Sequence, residues 1–352
     1  MTEQVTNISA RKDEHLRICL EEDVRSGVPA GFDQVHLQVA TLPELDFDSI
    51  DLSTKIFGKQ LEAPILISSM TGGSGKTKMF NQLLARAANE IKIAMGVGSQ
   101  RAALVHDGLN ETFSIARKEN PGGLLFANIG VAQLKEGFGV DECQRAVNML
   151  EADALIIHLN ALQEALQPEG NRDFSQLLIK IESVTKKLQV PVIAKEVGCG
   201  IDPQTARLLV DAGVRAIDVA GVGGTSWAAV EMYRQADPVR KALCQTYIGW
   251  GIPTVSALRG LDSLPEGILK ISSGGLRNGL DLAKSIALGA DLAGFALKLM
   301  VAANKSYETL NDTLKLIILE LKTAMFLSGA ADLKSLRPKL IKENGDVTGS
   351  AI

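Results

Sequence analysis

The strongest constraint on this 352-residue chain is a repetition. From Leu61 onward, short apolar runs recur, each followed by a glycine-rich or polar turn and then by a segment of helical period. The runs are APILISS (63–69), AMGVG (94–98), LLFANIG (124–130), ALIIHL (opening at Ala154), PVIAKEVG (191–198), AIDVAG (216–221), GILKISSGG (267–275) and LAGFALK (292–298). Continuous apolar runs of this length mark strands buried on both faces, which occur in parallel sheets covered by helices. Eight such strands alternating with helices predict an α/β fold, the (β/α)8 TIM barrel, in preference to an open doubly wound sheet. The spacing predicts helices over about 77–92, 139–151, 173–189, from Pro203 to about Ala212, and from Tyr307 to Leu327. About 45 residues between the sixth and seventh strands leave room for more than one helix, with WGIPTVSAL starting the second and Pro253 in its first turn.

The first 60 residues do not share this texture and read as an N-terminal extension (1–60) to the barrel domain (61–330), with a polar C-terminal tail (331–352). A charged helix is expected from about Ser9 through RKDEHLRICLEEDV, then a loop with Gly27, Pro29 and Gly31, then a short alternating strand, VHLQVATL.

The fourth barrel strand ends unlike the others. Ala154-Leu155-Ile156-Ile157 is wholly apolar, and His158, Asn160, Gln163 and Glu164 follow within seven residues. Carboxyl ends of strands are where parallel α/β proteins bind ligands, so this exit is the expected reaction centre.

Composition narrows the function classes. Apolar residues make up 46% and charged residues 22%; 37 basic residues stand against 41 acidic ones, with no basic block, which speaks against a nucleic-acid partner. No apolar run approaches the ~18 residues of a membrane helix. MTEQVTNISARKDEH lacks the apolar core of a signal peptide, which predicts a cytoplasmic protein with no membrane partner. Cys19, Cys143, Cys199 and Cys244 have neither CxxC spacing nor a disulfide framework.

The glycine loops point to a bound phosphate. Gly75-Lys76-Thr77 is the tail of a P-loop, but Met70 stands where that motif needs glycine, so the segment reads as a turn exposing backbone amides. Ser272-Ser273-Gly274-Gly275-Leu276-Arg277 and Gly294-Phe295-Ala296-Leu297 follow the seventh and eighth strands, where barrels often hold phosphate on amides and a helix N-terminus. Thr225, after Gly223-Gly224, adds a hydroxyl. Lys195 lies inside an apolar strand and must be paired or face a ligand. With Asn128 at the end of strand three, these groups suit flavin mononucleotide: amine and amide for the ring edge, glycine loops for the phosphate.

On these residues the chain resembles the type II isopentenyl-diphosphate isomerases, a flavin-dependent family. The matching motifs are Arg11-Lys12-x-Glu14-His15, Met70-Thr71-Gly72-Gly73, Gly96-x-Gly98-Ser99-Gln100-Arg101 and His158-Leu159-Asn160-x-x-Gln163-Glu164. Lys195-Glu196-Val197-Gly198, Gly223-Gly224-Thr225-Ser226-Trp227 and Gly274-Gly275-Leu276-Arg277 continue the series through nearly the whole chain. The resemblance implies conversion of isopentenyl diphosphate to dimethylallyl diphosphate, without net redox change, by an enzyme requiring reduced FMN and Mg2+, with NADPH as reductant. It places FMN contacts on Ser69, Met70 and Thr71, on Ser99 and Asn128, on Lys195 and Thr225, on Gly275, Leu276 and Arg277, and on Ala296 and Leu297. It places the substrate on Arg11, Lys12, Ser99, Gln100, Arg101, His158 and Gln163, and Mg2+ on Glu164. Tetramers or octamers are the family's assemblies, and the helix carrying Arg11 and Lys12 could then complete a neighbouring subunit's site.

These roles suit the chemistry. Arginine forks match phosphate oxygens, and Mg2+ binds through few carboxylates plus substrate phosphates. Gln163 is the candidate to orient substrate or relay a proton, being too weak a base to act alone, with His158 orienting and Trp227 and Glu231 nearby. The rival enzyme reading is an FMN-dependent oxidoreductase on the same barrel. A 2-hydroxy-acid oxidase uses a histidine base on a late strand, but the four histidines are His15, His36, His106 and His158. An inosinate-type dehydrogenase would need Cys199 or Cys244 as a loop nucleophile, and neither lies in a matching loop. A non-catalytic flavin scaffold has no use for RKDEH together with HLNALQE.

Overall fold

The structure is a computed structural model that describes residues 3–70 and 72–341. The expected eight strands are present: β3 (Ile65–Ile67), β4 (Ala94–Gly96), β5 (Leu125–Gly130), β6 (Ala154–Leu159), β7 (Val192–Glu196), β8 (Ala216–Asp218), β9 (Leu269–Ser273) and β10 (Leu292–Phe295). They close in sequence order into a parallel barrel, β10 pairing with β3 through Ala293↔Ile65 to Phe295↔Ile67. The fold is therefore the (β/α)8 barrel, and its long last helix is Tyr307–Leu327.

Strand period decides what each side chain faces. Outward residues such as Ile67, Met95, Ala127, Ile129, Leu155, Ile157 and Ile217 join the main core under the helices. The inward residues at the amino ends of the strands form a separate apolar layer: Leu66, Ala94, Phe126, Ala154, Ile156, Ile193, Ala216, Ile271 and Leu292. One step further along each strand the inward positions turn small or polar: Ser68, Gly96, Asn128, His158, Lys195, Asp218, Ser273 and Gly294. An apolar floor thus carries a polar mouth.

An antiparallel hairpin that the sequence reading did not foresee, β1 (Thr54–Ile56) and β2 (Lys59–Leu61), seals the bottom. Ile56, Leu61 and Phe57 pack onto the floor, the Phe57 and Phe126 rings meeting edge to face with centroids 6.1 Å apart. This hairpin spans residues 54–61 and so straddles the expected boundary at 60/61.

Other expectations need correction. VHLQVATL is not a strand: it forms one isolated bridge, Leu37 to Leu340, with Gln38 N donating to Lys339 O and Ala40 N to Leu327 O. Its alternation has no sheet to serve, and Val39 and Leu42 are exposed. The N-terminal helix starts at Glu3, ahead of Ser9, and runs to Glu21. The insertion after β8 holds three helices, Trp227–Arg234, Pro238–Thr246 and Thr254–Arg259, so WGIPTVSAL leads into the third. Pro253 is the residue before that helix rather than part of its first turn, because it is held in a parallel bridge with Val222. No described helix is long and apolar enough to cross a membrane.

Phe126 is fully buried at the centre of the floor. Phe126→Ala removes a ring that the hairpin cannot follow inward, so it should destabilise the fold by about 3–5 kcal/mol, read as a lower urea midpoint with an unchanged m-value.

Candidate active site

The polar layer and the N-terminal helix above it enclose one cavity of about 290 Å³ at the carboxyl end of the barrel. Pairing register sets its base. His158 lies beside Lys195, and Lys195 beside Asp218, on three adjacent strands. The Nδ1 of His158 donates to Asn128 Oδ1 at 2.8 Å, leaving Nε2 with its lone pair. Burial, then the charges of Lys195 and Lys12, push His158 down to about 3, so the imidazole is neutral at physiological pH. Lys195 Nζ donates to Glu196 O at 2.5 Å and lies 3.9 Å from Asp218 Oδ2. Glu196 itself turns away from the cavity, its Oε2 accepting from the amides of Val197, Gly198 and Cys199 and so fixing the turn after β7.

At the exit of β6, Gln163 and Glu164 both line the cavity. Glu164 is clamped: Oε1 accepts from Asn160 Nδ2 at 3.0 Å, and Oε2 from Gln167 Nε2 at 2.9 Å and Asn171 N at 2.7 Å. Asn160 Nδ2 also reaches Gln163 Oε1 at 3.3 Å, while the buried Asn160 Oδ1 has no partner. No group of three or more His, Cys, Asp or Glu among the described residues could hold a metal alone. One carboxylate beside an orphaned amide oxygen is nevertheless a donor set that suits Mg2+ completed by phosphate oxygens.

Three cations from the N-terminal helix and the loop after β4 also line the cavity, each already engaged. Arg11 NH1 is 3.3 Å from Glu169 Oε1, Arg101 NH2 is 3.0 Å from Glu136 Oε2, and Lys12 Nζ donates to Ser99 O at 2.6 Å. Burial, with Arg11 and Arg101 adding repulsion, lowers Lys12 to about 7. Gln100 departs from expectation. It does not line the cavity; its Oε1 accepts from Asn128 N and its Nε2 donates to Ala146 O, both at 2.9 Å, so it braces β5 instead.

The third wall is backbone. Ser69, Met70, Thr225, Gly275, Leu276, Arg277, Ala296 and Leu297 all line it; Thr71 lies outside the described residues. Gly275 has φ 81°, and a Cβ there would sit 2.4 Å from Gly223 C, so the loops after β8 and β9 touch backbone to backbone. Arg277 NH2 donates to Gly223 O at 2.9 Å, tying them. A Cβ on Gly294 would lie 2.4 Å from Ser68 Oγ, and the buried hydroxyls of Ser68 and Ser69 have no partner. The helix Leu297–Lys305 begins at this wall. Free hydroxyls, close-packed glycines and a helix N-terminus are the features an FMN ring edge and phosphate require.

Several residues that the sequence reading left without a role hold the roof. His15 Nε2 donates to Glu231 Oε1 at 3.0 Å and stands edge-on to Trp227, centroids 5.1 Å apart. Arg234 reaches Glu231 (2.6 Å), Glu14 (2.9 Å) and Glu169 (3.0 Å), and Glu169 returns to Arg11. This network seats the N-terminal helix on the chain's own barrel. Glu14 and His15 carried a signal as members of the RKxEH motif, and Trp227 and Glu231 were expected near the cavity; Arg234 and Glu169 meet that helix from 150 or more residues away.

Glu231 has 0% of its side chain exposed, and it is the anion shared by His15 and Arg234. Glu231→Gln leaves a buried guanidinium short of its partner, a loss of about 3–5 kcal/mol where such pairs are broken. The expected result is faster amide exchange in Glu3–Glu21 and earlier trypsin cleavage at Arg11 and Lys12, with barrel strands unchanged.

The comparisons with known proteins agree with this geometry. The FMN-dependent dehydrogenase family model matches residues 158–343. The isopentenyl-diphosphate delta-isomerase of Nostoc sp. (strain PCC 7120) is 48% identical over 337 residues, 96% of this chain and 96% of that protein. The enzyme of the same name from Stutzerimonas stutzeri is 48% identical over 94% of this chain and 96% of its own, and that of Rickettsia canadensis 44% identical over 94% and 97%. Among solved structures, a lactate oxidase of Pediococcus acidilactici superposes with TM-score 0.67 at 15% identity, covering 97% of this chain and 94% of that one. A mandelate oxidase gives 0.63 at 18%, covering 96% and 98%, and both likenesses concern the fold alone. Relatives of this identity and coverage, with flavin-type walls around the mouth, establish that the chain belongs to the type II, FMN-dependent isopentenyl-diphosphate delta-isomerase family.

Proposed function

We propose that this chain converts isopentenyl diphosphate to dimethylallyl diphosphate in the cavity at the barrel mouth, with reduced FMN and Mg2+ bound there. The observation that carries the reading is the division of one cavity into three chemically distinct walls. Arg11, Lys12 and Arg101 line it together with Glu164 and Asn160, and the glycines and hydroxyls at the ends of β8–β10 line the rest. Arginine and lysine bind the diphosphate, and Glu164 with its orphaned neighbour Asn160 Oδ1 would hold Mg2+, which would supply further positive charge for the diphosphate. Ser69, Met70, Thr71, Ser99, Asn128 and Lys195 hold the flavin ring; Thr225, Gly275, Leu276, Arg277, Ala296 and Leu297 hold its phosphate. When bound, reduced FMN supplies an electron-rich ring able to exchange a proton with the alkene and to offset positive charge.

The chain's own part is positioning and exclusion of water. Neutral His158 offers Nε2 as an acceptor and cannot serve as a cationic acid near pH 7. Gln163, held by Asn160, orients the hydrocarbon or relays the proton leaving C2. The N-terminal helix shields the cation from solvent, and Trp227 and Glu231 support it. Gln100 contributes indirectly by bracing Asn128. NADPH as reductant, a cytoplasmic location and a tetrameric or octameric assembly complete the reading. The 1–60 extension contributes to the substrate site through Glu3–Glu21, with 61–330 as the catalytic barrel and 331–352 as a tail.

The decisive experiment is anaerobic turnover of isopentenyl diphosphate with FMN, Mg2+ and either dithionite or NADPH. Dimethylallyl diphosphate should form only with reduced flavin, and Gln163→Ala and Glu164→Ala should lower the rate at least about a hundredfold, within the usual size of a positioning or proton-transfer contribution. Absence of isomerisation by protein carrying reduced FMN sinks the proposal.

Lys12 makes a second expectation. A group at about 7 is largely uncharged at pH 8, and a diphosphate beside it restores the charge, so binding at pH 8 should take up a proton. At pH 6 the ammonium is already present and uptake should vanish. Calorimetry of inorganic pyrophosphate binding in two buffers of different ionisation enthalpy reads this directly, and Lys12→Met should abolish the pH 8 uptake.

A further inference from the structure

Asp218 belongs to the same inward layer as His158 and Lys195 but does not itself line the cavity. It has no exposed surface, and the burial of its carboxyl is answered on one side only: Oδ1 accepts from Ser273 Oγ at 2.5 Å. Oδ2 has no hydrogen-bond partner. The cation facing it is Lys195, at 3.9 Å, too long for a hydrogen bond but close enough for strong coupling inside a protein. Burial pushes the Asp218 carboxyl up, and Lys195, Ser273 and the Ala220 amide oppose that push. An unpaired carboxylate oxygen in this setting costs several kcal/mol unless it does something for its neighbour. That neighbour is a lysine at the wall of the cavity, aligned in register between Asp218 and His158.

We propose that Asp218 is a positioning residue: it anchors the Lys195 ammonium and offsets part of its charge, and so sets how strongly the site prefers reduced over oxidised flavin. The inference rests on the reading of Lys195 as a flavin contact. A lone ammonium favours the more electron-rich form of a bound ring. A carboxylate behind it offsets part of that field and so moderates the preference. The geometry matches this division of work, since Lys195 lines the cavity and Asp218, which does not, faces Lys195 and is held by Ser273.

The test is the ratio of dissociation constants for oxidised and reduced FMN, measured by flavin fluorescence and by reductive titration, in the wild type, Asp218→Asn, Lys195→Met and the double variant. Asp218→Asn keeps the shape and the Ser273 contact while removing the charge. It should raise the preference for reduced FMN at least tenfold, which for a two-electron couple is about 30 mV in the positive direction. In the Lys195→Met background the same substitution should change the ratio less than threefold. Should Asp218→Asn fail to fold, Asp218→Ser removes the same charge with a smaller polar side chain and should move the ratio in the same direction. A ratio unchanged in Asp218→Asn, or equal weakening of both oxidation states, or an undiminished shift without Lys195, overturns the inference. If Lys195→Met alone leaves FMN affinity and the ratio untouched, the flavin reading of that wall falls too, whereas a Lys195 effect without an Asp218 effect defeats this inference only.

Discussion

A closed eight-stranded barrel takes every inward side chain out of bulk water, so a charge can stand there only against a partner. That constraint organises this molecule. The floor is filled by Leu66, Phe126, Ile156, Ile193 and Ile271, which ask nothing of their neighbours but volume. Polarity enters one layer higher, where the strands end and each group can be matched: His158 with Asn128, Lys195 with Asp218, Asp218 with Ser273. The layer is thin, a single inward position per strand, and its composition is the chemistry of the site.

The barrel does not complete the site by itself. Of the three cations proposed for the diphosphate, Arg11 and Lys12 come from the N-terminal helix and Arg101 from the loop after β4. The roof and much of the positive wall are thus one object, and whatever holds Glu3–Glu21 in place also determines how the anion site is presented. Glu231, Arg234, Glu14 and Glu169 do that work, and Glu169 touches Arg11 directly. A diphosphate arriving at Arg11 and Arg101 meets guanidinium groups already oriented by Glu169 and Glu136, which lowers the ordering cost while leaving like charge close by.

The eight strands were legible because doubly buried parallel strands are written as unbroken apolar runs, and the glycine turns mark where each ends. The position of the mouth followed from the polar cluster after Ile157. What remained hidden depends on long-range geometry. Hairpin strands of three residues carry too little period to be read, and VHLQVATL had the period without the partner sheet. Gln100 sits between Ser99 and Arg101 in sequence, yet its side chain points to the β5 backbone, a difference of direction that adjacency cannot reveal. Asp218 reads as one acidic residue in AIDVAG; only its register beside Lys195 shows what it faces. Read by themselves, Arg11, Lys12 and Glu14 are also an ordinary solvated helix face until Glu169 and Arg234 are brought to them.

The chain divides along its length in a way that bears on function. The FMN-dependent dehydrogenase model begins at residue 158 and takes in Lys195, Thr225, Gly275–Arg277 and Ala296–Leu297, the groups assigned to the flavin. Arg11, Lys12, Arg101 and Asn128 all precede it. Oxidases at 15–18% identity share the fold over 96–97% of this chain, not over that stretch alone. The cavity likewise draws on both sides of residue 158: Gln163 and Glu164 fall inside the matched stretch, and Ser69, Met70 and Ser99 line the cavity from before it. No histidine follows His158, so the loops after β7 to β10 can furnish no imidazole base. The ionisable groups that line the cavity on that side are cations, Lys195, Arg277 and Lys298, whose N–H groups donate and are suited to hold an electron-rich or anionic group, whereas the carboxylate among the described lining residues, Glu164, follows β6.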